Sequence, residues 1–209
     1  MALANYQNLK DSAIAWSHRA DLDLLIDDFI LLAENEFYSN PVETLSLRVM
    51  EGQATATAST SSRQVTLPAD FLSNRRIRLQ LSTGDHGELK YRAPEQMVIQ
   101  GASGQPRYYT ITDVLEFDRT PDTAYTVEFQ YFKKIAALTS EATTNDILTN
   151  YPNIYLYGVL HQAFLYATDE VEAAKWQRKF ISAIKGANRK DKKGRFGTAP
   201  AMRIEGATP

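Results

Sequence analysis

The chain has 209 residues, enough for one large domain or two small ones, with 44% hydrophobic and 23% charged residues and a formal net charge of −2. With no cysteine, disulfides and thiolate metal sites are excluded, and so small a charge gives no general attraction to nucleic acid or membrane. The opening stretch MALANYQNLKDSAIAWSHR lacks the apolar centre of a secretory leader, and no segment approaches the roughly 18 apolar residues of a membrane span, so a chain made and kept in a cytoplasm, or packed into something assembled there, is expected.

The first 40 residues read as two helices. Tyr6, Leu9, Ala13 and Trp16 recur at steps of three and four, with Asn5 as N-cap. After the loop SHRA, Asp21 is a second cap. Leu22, Leu25, Ile26, Phe29, Leu32 and Ala33 then form a broad stripe, the acids Asp23, Asp27, Asp28 and Glu34 lie mostly off it, and Asn40-Pro41 ends the helix.

Near Leu45 the period changes from helical to alternating. Leu45, Leu47 and Val49 alternate with polar residues, as do Ala54, Ala56 and Ala58. RQVTLPADF, RRIRLQLS, RYYTITDVLEF and AYTVEFQYF carry the same strand character, with turns at Asp85 to Gly87, at GASG and at DRTPDT. Positions 45–135 are therefore expected to form an antiparallel sheet or small barrel of about five to seven strands.

A polar loop, SEATTNDILTN, leads to the stretch YPNIYLYGVLHQAFLYATDEVEAAKW, an αα-hairpin. Pro152 suits a first helical turn, and the second helix begins near Thr168-Asp169, with Glu170 and Glu172 where the dipole favours anions. Ala173, Trp176, Phe180 and Ile184 are its apolar stripe, and Gly186 is its expected stop. The first helix of the hairpin is apolar on nearly every side. Leu156, Val159, Leu160, Ala163 and Ala167 share one face, Ile154, Tyr157, His161 and Leu165 the other, and Tyr151, Tyr155 and Tyr166 lie between. Such a helix is either the centre of its own domain or gives part of its surface to another subunit, where tyrosine is well suited. The final residues, ANRKDKKGRFGTAPAMRIEGATP, read as an extended arm, basic and then small and polar. Fully stretched it reaches on the order of 75 Å.

The fold class expected from this order is α+β: an N-terminal helix pair and a C-terminal αα-hairpin flanking the β-region, with an extended C-terminal arm. The divisions fall at 1–44 for the first helices, 45–135 for the β-region, 136–186 for the loop and hairpin packing with 1–44, and 187–209 for the arm.

No constellation for catalysis or metal binding is found. His18, His86 and His161 have no second ligand at metal spacing, and no nucleophile-elbow, Walker, dinucleotide or EF-hand pattern occurs. Glu34 and Glu36 stand two apart on a helix, pointing roughly 200° apart, and so do not form the converging pair of a glycosidase. His161 is expected to be a hydrogen-bonded core or interface residue. In the arm, Lys185, Arg189, Lys190, Lys192, Lys193 and Arg195 are countered only by Asp191, and Phe196 alone offers a stacking surface. A solvated tail, a tail ordering on an acidic protein partner, and phosphate contact all fit that composition.

Three blocks in order carry a family likeness. The first is RADLDLLIDDFILLAENEFYSN with LSLRVME, the second VTLPADFLSNRRIRL, and the third YTVEFQYFKKIAALTSEATTNDILTNYPNIYLYGVLHQAFLYATDEVEAAKW. Together they resemble the adaptor proteins at the head-to-tail junction of tailed bacteriophages. The resemblance implies a non-enzymatic structural protein of the virion, made in the host cytoplasm, that needs no cofactor and no membrane. It implies a homo-oligomeric ring, typically twelve-fold, beneath the portal protein. That ring extends the channel through which genomic DNA passes without specific recognition, and it presents a surface to tail or nozzle proteins. Carried onto this chain, the arm is the portal-docking element, with Lys190, Lys192, Lys193, Arg195, Phe196, Met202 and Ile204. The hairpin at 151–185 is the ring-forming element, anchored by Tyr155, Tyr157, Trp176 and Phe180, and the β-region faces the tail. The competing expectations are another neck component, a stopper or tail-completion protein, and a virion-associated peptidoglycan hydrolase.

Overall fold

The structure is a computed structural model that describes residues 3–81 and 84–195, without the side chain of Arg195. The chain divides into two compact units, one of residues 1–48 with 135–209 and the other of residues 49–134.

The first unit is helical. Helix α1 (Tyr6–Ser17) starts at Asn5, whose Oδ1 accepts the Asn8 backbone N–H at 2.9 Å. It stops where His18 turns left-handed, at φ 54°. A 3₁₀ segment, Ala20–Leu25, then runs into α2 (Ile26–Ser39). The expected cap at Asp21 is not used: its carboxylate pairs with Arg19 at 2.7 Å, and α2 starts after Leu25 with no side-chain cap. Asp27 and Asp28 occupy the first turn of α2, where its dipole favours them. Leu22, Ile26, Phe29, Ala33 and Phe37 are buried, whereas Leu32, assigned to the same stripe, is exposed. Asn40 closes the helix, its Oδ1 accepting from the Val42 N–H at 3.0 Å.

Helix α3 (Asp146–Asn150) is capped by Asn145, whose Oδ1 accepts the Leu148 N–H at 2.9 Å. Helix α4 (Pro152–Tyr166) follows, and Asp169 caps α5 (Glu170–Arg195) by accepting the Glu172 N–H at 3.1 Å. Helix α4 is the axis of the unit, wrapped by α1, α2 and α5. At Gly158 the approach is closest: a Cβ there would stand 3.0 Å from Ala33 Cβ and 3.1 Å from Phe180 Cε2. Most of the apolar circumference of α4 is thus covered by its own chain, with Leu165 and Tyr166 of the last turn left exposed.

Two further expectations fail in this unit. Helix α5 does not stop at Gly186 but continues to Arg195, so residues 187–195 are helical rather than extended. Leu45 and Leu47 alternate with exposed neighbours and are buried, yet they form no strand. The stretch is strapped to α5 instead. Asn188 Oδ1 accepts the Ser46 N–H at 2.9 Å, and its Nδ2 donates to Thr44 O at 2.9 Å and Glu43 Oε1 at 2.8 Å. Asp191 accepts the Arg48 backbone N–H at 3.0 Å and Nε at 3.1 Å. Both failures have one cause. The helix continues past Gly186 because Asn188 and Asp191, further along it, are bonded to the 43–48 segment.

The second unit is β. Strands β1 (Glu51–Thr57), β2 (Gln64–Val65), β3 (Phe71–Gln80), β4 (His86–Glu88), β5 (Lys90–Tyr91), β6 (Tyr108–Ile111), β7 (Leu115–Phe117) and β8 (Thr126–Lys133) make two four-stranded sheets, ordered β1-β8-β3-β4 and β2-β7-β6-β5. All pairs are antiparallel except β5 with β6, which are parallel, so the barrel alternative is corrected to two open sheets. Val127, Phe129 and Tyr131 alternate inward from β8 and meet Ile77 and Leu79 of β3 and Leu115 and Phe117 of β7 in one core. The turn placed at Asp85 to Gly87 falls slightly earlier, at Gly84 (φ 81°), because His86 and Gly87 already pair with β3.

Candidate interaction surface

Two kinds of side chain that sequence reading groups together separate in three dimensions. Of the hairpin anchors, Tyr155 is 1% exposed, Trp176 6% and Phe180 0%. All three are enclosed by their own chain. Tyr155 stacks edge-on to Phe37 at 5.1 Å, and Phe180 lies against the same ring at 6.1 Å. Tyr157, two residues and roughly 200° further round α4, is the one of the four that reaches the surface.

Tyr155 belongs to a buried polar cluster. Its hydroxyl donates to Glu34 Oε1 at 2.8 Å and accepts from Asn145 Nδ2 at 2.6 Å, while the Leu138 N–H donates to the same Glu34 oxygen at 2.8 Å. Burial raises the Glu34 carboxyl above its ordinary value, against the lowering effect of these two donors. Burial and the Glu34 charge raise the Tyr155 hydroxyl, which stays protonated and donating. Glu36 turns the other way, towards Gln162 Nε2, with His161 Nε2 at 3.7 Å. His161 is buried, its Nδ1 3.0 Å from the Ala173 carbonyl. The two carboxylates hold helices together and do not converge on a common space. Among the described residues no group of three His, Asp or Glu could hold a metal ion, and no helix is long and apolar enough to cross a membrane.

A groove of about 490 Å³ opens between α4 and α5. It is lined by Ser182, Ala183, Gly186 and Ala187 of α5, with Tyr151 and Lys190 at one end and Tyr157 and Lys179 at the other. Lys179 Nζ lies 4.5 Å from the Trp176 ring centre, and Lys190 Nζ 5.4 Å from that of Tyr151. Each such contact contributes about 0.5–1 kcal/mol at an exposed site and leaves the ammonium able to meet a carboxylate. Tyr157 and the half-exposed Trp16 flank Trp176 at 5.6 and 5.8 Å, so an aromatic ridge continues the rim.

Of the residues assigned to the arm, Lys190 lines this groove, and Lys192 and Lys193 are exposed on the last turns of α5. Arg195 ends the helix, and Phe196, Met202 and Ile204 lie outside the described residues. Tyr151, Lys179 and the small residues of the floor were missed. Their signal was present, since Lys179, Ser182, Ala183, Gly186 and Lys190 recur at helical spacing. Ending the helix at Gly186 cut that series in two.

No curated protein matches the chain. A family model described as SU10 adaptor protein matches residues 4–203, and so runs through both units and past the end of the described helix.

Proposed function

The chain belongs to the SU10 adaptor protein family, a family of phage head–tail adaptors, and from that premise we propose that it assembles as a ring between the portal and the tail and extends the DNA channel there. The observation that carries the reading is the span of the match, which takes in the helical unit, the β unit and most of the C-terminal segment. The construction of the first unit supports it. Its buried carboxylates serve as struts, and its open surface is a shallow helical groove with cationic and aromatic rims, suited to a protein face.

Within this reading, the C-terminal segment docks on the portal through Lys192, Lys193, Arg195, Phe196, Met202 and Ile204, and the β unit meets tail or nozzle proteins. The anchoring of Asn188 and Asp191 to the 43–48 segment makes α5 a fixed base from which that segment departs. Self-association is carried by surface other than Tyr155, Trp176 and Phe180, since these are enclosed.

Virions assembled without this chain test the proposal. DNA-filled heads that bear a portal but no tail are the expected product. Tailed particles, or heads that still carry an adaptor ring, would contradict it.

A further inference from the structure

Helix α2 has an outer face as well as the inner one that seals α4. Phe29, Ala33 and Phe37 point inward, and Asp28, Leu31 and Asn35 point out. Leu31 of α2 is 56% exposed and Leu24, in the 3₁₀ segment before it, 91%, and Asp28 has no ion pair among the described residues. This is an acidic ridge carrying unburied leucines. It contrasts with the α4–α5 groove, whose rim cations Lys179 and Lys190 sit over rings and have no carboxylate partner among the described residues.

The two surfaces also face opposite ways. Helix α2 packs on the side of α4 that carries Tyr155, Gln162 and Tyr166, with the Phe29 ring 5.7 Å from that of Tyr166. The groove opens on the side that carries Asn153 and Tyr157. Ridge and groove therefore lie on opposite sides of the same helix and differ in sign of charge and in shape. A contact between unlike faces is heterologous, and repeated from copy to copy it generates a ring or an open filament rather than a closed dimer.

We propose that the groove of one copy receives the Leu24, Asp28, Leu31 ridge of the next. Lys179 then meets Asp28, and Leu31 seats over the Ala183 and Gly186 floor. This deepens the ring reading above and rests on it. Small floor residues let a neighbouring helix approach closely, and the charge pairing sets which faces meet.

The absence of cysteine makes the test clean. In the full-length chain, alone and bound to isolated portal rings, the pair Leu31→Cys with Ser182→Cys should give an oxidation-dependent ladder of covalent multimers. Each single variant should give no covalent multimer under the same oxidation. Asp28→Lys should abolish the ladder and Lys179→Glu, added to it, should restore it. A chain truncated after Arg195 should still ladder. No ladder from a chain that nevertheless forms rings by mass overturns this contact and leaves the ring standing. Dimers from either single variant reveal a like-face contact and overturn it too. Loss of the ladder on truncation puts residues 196–209 in the groove and has the same effect. If the unsubstituted chain stays monomeric even on portal rings, both the contact and the ring reading fall.

Discussion

Glu34 is a carboxyl placed where a carboxylate is poorly solvated, between the Leu138 N–H and the Tyr155 hydroxyl. Because its folded value is raised above the ordinary 4.5, the native state keeps this proton to higher pH than the unfolded chain does. The stability it contributes is complete below that unfolded value and is lost as pH rises through the folded one. Glu34→Gln keeps an acceptor for Leu138 and removes the titration. Denaturant melts of both proteins should show the variant gaining on the parent as pH rises above about 4.5. Parallel pH profiles would show that Glu34 does not titrate differently in the two states. Asn188 is the second residue on which much depends, since one amide satisfies Ser46 N, Thr44 O and Glu43. Asn188→Ala leaves two backbone groups unpaired and should cost about 2–3 kcal/mol in chemical denaturation. A loss under about 0.5 kcal/mol, on the order of a surface change, would mean the 43–48 segment is held otherwise.

At the scale of elements, helices were the readily legible part. Asn5 was readable as a cap because side-chain capping is local chemistry, Asp21 was misread because Arg19 claims its carboxylate, and the stripe of α5 was readable because it repeats. Gly186 misled because a glycine stops a helix only when nothing beyond it needs the next turn. Here the beneficiary, the 43–48 segment, is far away in sequence, as the Ser46–Asn188 bond shows with a separation of 142. Leu45 and Leu47 misled for the mirror reason: alternation marks one buried side and does not say whether a strand or a helix covers it. The same glycines give opposite predictions. A methyl group added at Gly186 would meet nothing within 4 Å, so Gly186→Ala should raise stability by about 0.5–1 kcal/mol through helix propensity. Gly158 is pinched between Ala33 and Phe180, so Gly158→Ala should lower it by about 1–3 kcal/mol despite the same propensity gain. Thermal denaturation of the two variants side by side decides whether α4 is as tightly held as its contacts indicate.

At the scale of the molecule, the α+β order was legible, since period is a property of the chain itself, although the strands begin at Glu51 and not near Leu45. The pairing of eight short strands into two open sheets was not, because β5 and β6 lie side by side and parallel for reasons of packing that no local pattern carries. The candidate surface was legible only in pieces. Tyr157 and Lys190 were named, but Tyr155, Trp176 and Phe180 were assigned outward because an all-round apolar helix does not disclose whether its own chain can cover it. Over most of its length it can, and α1, α2 and α5 do so, leaving Leu165 and Tyr166 exposed. What remains for assembly is the groove that these helices leave and the ridge on the far side of α2. Removal of residues 196–209 should therefore leave the melting transition of the helical unit unchanged within error, while weakening attachment to portal rings in co-sedimentation. Unchanged attachment would take portal docking away from that segment.

The most direct measurement is the mass of the full-length chain in solution by light scattering, with and without isolated portal rings. The account predicts a discrete ring-sized species, formed alone or on the portal, that disappears when Lys179 and Lys190 are both changed to Glu. A chain of 23.5 kDa that stays monomeric in both conditions would contradict it.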